Sequence, residues 1–290
     1  MKGFDYLAPT SLAEATAALA GASGTARVLA GGTDLIVQLR EKLRDADLVV
    51  DVKRIPELME LSYDPKRGLR LGASVPCYQI YENPEIAAAY PALADATRIV
   101  GGWQIQSRAS VGGNLCNASP AGDTIPALVA LGAVCRVVGP AGPREIAAES
   151  FGVGPGRNAL QRGELLVAIE IPPPAPRSGS AYERFIPRNE MDIAVVGVGA
   201  WVRLDPSGTT IEEARIALGA VAPTIRLAAD ASAWLAGQPA TEATFAAAGE
   251  RAQAVASPIS DMRGTAEFRR HLVGVLTRRT LERAAARARG

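Results

Sequence analysis

The glycine pairs Gly31-Gly32 and Gly112-Gly113 constrain this chain more than any other feature. The first lies in Ala30-Gly31-Gly32-Thr33-Asp34. The second lies in Ser110-Val111-Gly112-Gly113-Asn114, which runs on to Asp123. Without Cβ atoms, each stretch lets a second backbone or a ligand approach the main chain closely. They lie too far apart to form one turn, and neither is a GxGxxG or a Walker loop. Two separate glycine loops gripping one ligand suit a large, anionic, extended molecule, and a dinucleotide meets that description.

The surroundings of the loops read as alternating strands and helices. Thr10 or Ser11 caps a helix through about Leu19, with Glu14 at the capping-box position if Ser11 is the cap. Arg27-Val28-Leu29 is a short buried strand that ends in the first loop. A helix is predicted over roughly Leu35 to Leu43, with Thr33 or Asp34 as its cap, and Leu48 to Val52 is a second strand. A strand at Leu69 to Ala73 follows, with helices begun by Pro76 and Pro91. Beyond the second loop come a helix at Ile125 to Leu131 and strands at Val134 to Val138 and Leu165 to Ile171. Pro172 to Pro176 is a stiff linker. Past it, strands at Ala194 to Leu204 and Ile211 to Ala217 are joined by the turn Asp205-Pro206-Ser207-Gly208. Helices are predicted near Ala228 to Leu235, Thr241 to Ala256 and Ala266 to the C-terminus. The expected fold class is α+β. A two-part α/β unit covers 1–176, in subdomains of about 1–55 and 56–176, and a smaller domain with an antiparallel sheet and helices covers 177–290.

Gly31 and Gly32 sit where a strand hands over to a helix, the place where free N–H groups and the helix dipole favour an anion. Thr33 adds a hydroxyl. Taken alone, this loop is equally a tight turn that uses glycine for its dihedrals. Ser110, Gly112, Gly113 and Asn114 strengthen the ligand reading, and Asp123 is placed to accept from ribityl or ribose hydroxyls. A third cluster, Gly152-Val153-Gly154-Pro155-Gly156, contains proline and opens no helix, so it reads as a turn.

Composition narrows the chemistry. Three cysteines without CxxC spacing and one histidine, His271, exclude a Cys₄ cluster, a structural zinc site and the usual triads. No metal ligands and no acid, base or nucleophile of catalysis are assigned, so any redox chemistry belongs to a bound organic cofactor. A net charge of +1 gives no electrostatic case for nucleic acid. No run approaches the ~20 apolar residues of a membrane span, and Met1 to Asp5 lacks a secretory core, so a cytoplasmic protein is expected. In the last helix, Phe268, Leu272, Val275 and Leu276 form a stripe among seven arginines. The expectation is a core-facing stripe with a solvated basic face; the sharper alternative is docking on an acidic partner.

Four stretches in order, AGGTDL, SVGGN…ASPAGD, GELLVAIEIP and YERFIPRNEMDIA, resemble the FAD-binding medium subunit of the molybdenum hydroxylases, the group of xanthine and carbon monoxide dehydrogenases. The resemblance spans essentially the whole chain. It implies a PCMH-type FAD-binding domain followed by a C-terminal domain of the carbon monoxide dehydrogenase flavoprotein type. By the same resemblance, Leu29, Ala30, Gly31, Gly32, Thr33, Asp34 and Leu35 wrap the FAD diphosphate. Ser110, Val111, Gly112, Gly113 and Asn114 approach it from the other side, Asp123 hydrogen-bonds the cofactor, and Leu166 lies against the flavin region. Arg184 stands where many relatives carry Lys, which keeps the charge but changes a point donor into a planar fork.

The implied function is electron transfer without contact with the organic substrate. FAD, bound non-covalently, takes electrons from the [2Fe-2S] clusters of a small partner subunit and hands them to an external acceptor. The molybdenum cofactor resides in a large subunit, and the assembly is a heterotrimer or its dimer. The lack of a cysteine-rich insert separates the chain from the benzoyl-CoA reductase branch. A free-standing FAD-dependent reductase or oxidase is the alternative, with Tyr81, Glu82 or Ser119 as its candidate proton donors. A nucleotide-binding protein without redox function is a third reading.

Overall fold

The computed structural model describes residues 2–290, which build three main sheets in chain order. The first is parallel: Leu48–Asp51 lies between Asp5–Leu7 and Ala26–Leu29. Parallel neighbours need a crossover; the one from Ala26–Leu29 to Leu48–Asp51 carries a short helix, and the two outer strands are linked by the helix Leu12–Gly21. Of its two candidate caps the structure uses Ser11, whose Oγ accepts from the Glu14 N–H at 3.2 Å, while Glu14 reaches back to the Thr10 N–H. The helix after the first glycine loop, Leu35–Arg40, stops short of the predicted Leu43 because Lys42 turns left-handed, at φ 59°.

The second sheet has five strands in the order Leu61–Asp64, Gly68–Gly72, Leu165–Ile171, Val134–Gly139 and Gly142–Ala147. Every pairing in it is antiparallel. Leu165–Ile171 is central, and its register slips between Leu166 and Ala168 opposite Arg136 and Val137. Such a bulge bends the strand and re-aims its side chains. Short helices, Pro91–Thr97 and Thr124–Ala130 among them, build up the core beside this sheet.

The third sheet, Ser178–Phe185, Val196–Leu204, Ile211–Gly219 and Arg226–Leu227, is antiparallel throughout. Val196–Leu204 is buried along nearly its whole length, because the sheet is covered on both faces. Helices Pro91–Thr97 and Thr124–Ala130 pack on it from the preceding part of the chain, and the long helix Ala266–Arg289 packs on it from the C-terminus. The proline linker begins firmly anchored: the buried Tyr90 hydroxyl donates to the Pro172 carbonyl at 2.9 Å.

Two sequence expectations change here. The second glycine stretch is not a loop. Gly112, Gly113 and Asn114 lie in the first turns of the helix Val111–Asn117, capped by Ser110 Oγ, which accepts from Gly113 N–H at 3.0 Å. The arginines of the last helix form the expected solvated face only in part: Arg270, Arg279, Arg283 and Arg289 are exposed, but several are tied into the fold. Arg269 is buried and bonds Asp261 and the Val195 carbonyl. Arg278 pairs with Glu242 and Glu282, Arg283 and Arg287 with Asp95, and Arg289 donates to backbone carbonyls. Leu272 and Leu276 are buried as expected, but Phe268 is 40% exposed. The Gly152–Gly156 cluster is a turn, with strands Gly152–Gly154 and Arg157–Asn158 on either side and Gly156 at φ 67°.

Candidate functional site

The two glycine segments meet. An atom placed as Cβ on Gly31 would lie 1.9 Å from the Arg108 carbonyl oxygen, so only glycine lets the first loop pass the chain leading into the second. Arg108 Nε in turn donates to the Gly31 carbonyl at 3.1 Å. Gly112 is needed for a similar reason, since its Cβ would fall 2.4 Å from the Ala73 carbonyl oxygen. Lys53 Nζ holds the other side of the first loop by donating to the Ala30 carbonyl at 3.0 Å and to Asp51 at 2.7 Å.

Together they wall a cleft of about 580 Å³, within the range of small-molecule and cofactor sites. Ala30, Gly31, Gly32, Thr33, Asp34 and Leu35 line it, and so do Ser110, Gly112, Gly113, Asn114, Asp123 and Leu166. Leu29, Val111 and Arg184 do not. Leu29 packs beside the cluster of Leu39 and Val49, and Val111 is fully buried. Arg184 is turned toward Asp123 and donates to its Oδ2 at 2.6 Å, with both side chains nearly closed from water.

The donors facing the cleft are uncommitted. Among the described residues, the backbone N–H groups of Gly31, Gly32, Thr33 and Asp34 meet no protein acceptor. Gly32 is left-handed, at φ 78°, as the last approach to the helix Leu35–Arg40. Asn114 Oδ1 accepts from the Thr124 hydroxyl at 2.7 Å, which leaves its amide donors free. Ser74 lines the cleft as well, and its buried hydroxyl has no partner. A buried polar group in that state is costly. Two helix starts, open N–H groups and orphaned hydroxyl and amide donors fit a diphosphate.

Asp123 is the acidic counterpart. Burial pushes its carboxyl above the usual range, while Arg184 and the Tyr182 hydroxyl, donating at 2.9 Å, pull it back. Tyr182 is pushed well above its ordinary value by burial and by the Asp123 charge. Partial burial pushes the Asp34 carboxyl up too, against the pull of Arg44. The three free cysteines do not offer nucleophiles, because burial pushes each thiol to about 12. Of the candidate proton donors, only Ser119 lines the cleft. Its Oγ accepts from Ala121 N–H, and the Tyr81 hydroxyl is spent on Gln106. His271 lies on the last helix and does not line the cleft.

Comparison with known proteins gives the family. Residues 2–174 match the FAD binding domain in molybdopterin dehydrogenase, and residues 180–284 match the CO dehydrogenase flavoprotein C-terminal domain. The chain belongs to the FAD-binding medium subunits of the molybdenum hydroxylases. It is 35% identical to the carbon monoxide dehydrogenase medium chain of Afipia carboxidovorans, over 99% of this chain and 98% of that one. Identity to the xanthine dehydrogenase FAD-binding subunit of Escherichia coli O157:H7 is 32%, over 98% and 97%. A solved carbon monoxide dehydrogenase from Hydrogenophaga pseudoflava superposes with a TM-score of 0.93 at 31% identity, covering 99% of this chain and 98% of that one. As a medium subunit of this family, the chain is the FAD-dependent part of an oxidoreductase.

Four contributors escaped the sequence reading of this medium subunit. Tyr182, Ser74, Arg108 and Lys53 act on the cleft through contacts made only on folding. The one sequence trace is Tyr182, two residues before Arg184 on a strand and therefore on the same face.

Proposed function

We propose that this subunit carries electrons from the [2Fe-2S] clusters of a small partner subunit, through FAD held in the cleft, to an external acceptor. The observation that carries the reading is the row of uncommitted donors at Gly31 to Asp34, facing the helix start at Gly112 across one cleft. Bound FAD exchanges one or two electrons, the chemistry that the side chains of this chain lack. The residues bind and orient. Gly31, Gly32, Thr33, Gly112, Gly113 and Asn114 hold the diphosphate by N–H, hydroxyl and amide donors. Asp123 accepts from the ribityl chain, Leu166 supports the ring region, and Leu29, Val111 and Arg184 position these groups from behind. Residues 1–176 are the cofactor domain and 177–290 the domain whose strand Ser178–Phe185 fixes Asp123. A large molybdenum subunit oxidises the substrate, in a cytoplasmic heterotrimer or its dimer. The described residues contain no helix long and apolar enough to cross a membrane.

The test is reconstitution. The flavin of this chain is expected to be bleached by substrate only when the cluster and molybdenum subunits are present. Substrate-dependent bleaching of the isolated chain would instead support a free-standing flavoenzyme.

A further inference from the structure

The groups assigned so far cluster at the glycine segments and at Asp123. Three more charged groups line the cleft: Asp192, which pairs with Arg188 and Arg263, and two arginines, Arg27, on the strand Ala26–Leu29, and Arg44, beyond the helix Leu35–Arg40. Both arginines are half-buried. Arg27 Nε donates to the Asp45 carbonyl at 3.2 Å, and Arg44 Nη2 to the Gly156 carbonyl at 3.3 Å. These anchors are neutral. Among the described residues neither Arg27 nor Arg44 has a carboxylate within 4.0 Å. Asp45 and Asp34 act on them only from a distance. Burial, and then the like charge of Arg44, pushes the Arg27 guanidinium down. Two neighbouring cations with no direct ion-pair partner are costly in a partly buried place, and an anion between them lowers the cost.

The two sides of the cleft differ in chemistry. The strand bearing Arg27 runs directly into the first glycine loop. Asp123, held by Tyr182 and Arg184, comes from the side of the third sheet, where Met191, Asp192 and Ile193 also line the cleft and Val100 and Ile105 add apolar wall. That side suits an uncharged ring system and a hydroxylated chain. The Arg27 side suits a phosphate and a purine, because guanidinium planes both bind phosphate oxygens and stack on rings.

We propose that Arg27 and Arg44 form the adenylate end of the cleft and make this site selective for the flavin dinucleotide over the mononucleotide. The assignment rests on the reading of the cleft as the FAD site. FAD is FMN joined to AMP, so its two halves probe the two sides separately.

The experiment is titration calorimetry of the full chain, stripped of flavin, with FAD, FMN and AMP. Wild type is expected to bind FAD more tightly than FMN and to bind AMP alone. Arg27→Gln with Arg44→Gln should weaken AMP and FAD by about ten- to a hundredfold, the range for lost charge-assisted hydrogen bonds, with FMN unchanged. The salt dependence of AMP binding should fall with them. Arg44→Gln alone should move AMP and FAD in the same direction by less, so the assignment is still tested if the double variant folds poorly. Asp123→Asn should weaken FMN and FAD and spare AMP. FAD uptake with its preference over FMN unaltered in the arginine variants overturns this assignment alone. A wild-type chain that takes up no FAD overturns the reading of the cleft together with it.

Discussion

Replacing Arg184 with Met isolates the contribution of the buried pair behind the cleft. Arg184 donates to Asp123 at 2.6 Å, and the two side chains are 6% and 11% exposed. Removing one partner of such a pair leaves a buried carboxylate without its cation, which costs about 3–5 kcal/mol. Tyr182 still donates to Oδ1 at 2.9 Å, which argues for the low end, about 3 kcal/mol. The loss must depend on pH. Burial already pushes the Asp123 carboxyl up, and without Arg184 it rises further above its unfolded value. A carboxyl raised on folding is stabilising when protonated. The penalty is therefore full above the folded pKa and fades as pH falls through it. Urea denaturation of the apo chain at about pH 8 and about pH 4.5 measures this difference. Arg184→Lys keeps one charged donor for the one observed contact and should recover at least about half of the loss. Asp123→Asn with Arg184→Met should recover most of the loss at the higher pH, since no charge is stranded. Equal destabilisation by Arg184→Met at both pH values, or a Lys variant as unstable as the Met variant, would refute the reasoning.

Two further substitutions probe the cleft. Gly31→Ala drives a methyl into the Arg108 carbonyl, 1.9 Å from the new atom. Because the obstacle is backbone, it should lower stability by about 1–3 kcal/mol and weaken FAD at least about tenfold; thermal melts and flavin titration check both, and unchanged FAD affinity would remove the loop contact from the account. Ser74→Ala removes a buried hydroxyl with no partner. It should stabilise the apo chain by about 1 kcal/mol while weakening FAD, and a variant that binds FAD as wild type does would show that the hydroxyl faces no cofactor group.

Much of the fold was legible because periodicity and punctuation agree. The strand Leu165–Ile171, the helix cap at Ser11 and the turn before Ile211 follow from local rules alone. Ser178–Phe185 did not stand out, since its Gly, Ser, Ala and charged residues lack a strand composition. It is a strand because it pairs along its length with Val196–Leu204. The second glycine stretch misled for the opposite reason. Glycine disfavours a helix by about 1 kcal/mol, but the Ser110 cap and the close approach of Ala73 outweigh it. Most of the lining of the cleft was legible as motifs, while its supports were not. Arg108 against Gly31, Arg184 and Tyr182 on Asp123, and the free hydroxyl of Ser74 are long-range contacts that no local pattern encodes.

The visible spectrum of the purified chain, before and after acid precipitation, tests the central claim most directly. A flavin spectrum without iron–sulfur absorption is predicted, with one FAD per chain released intact into the supernatant. A colourless chain that takes up no added FAD, or a flavin that stays with the precipitate, would contradict the account.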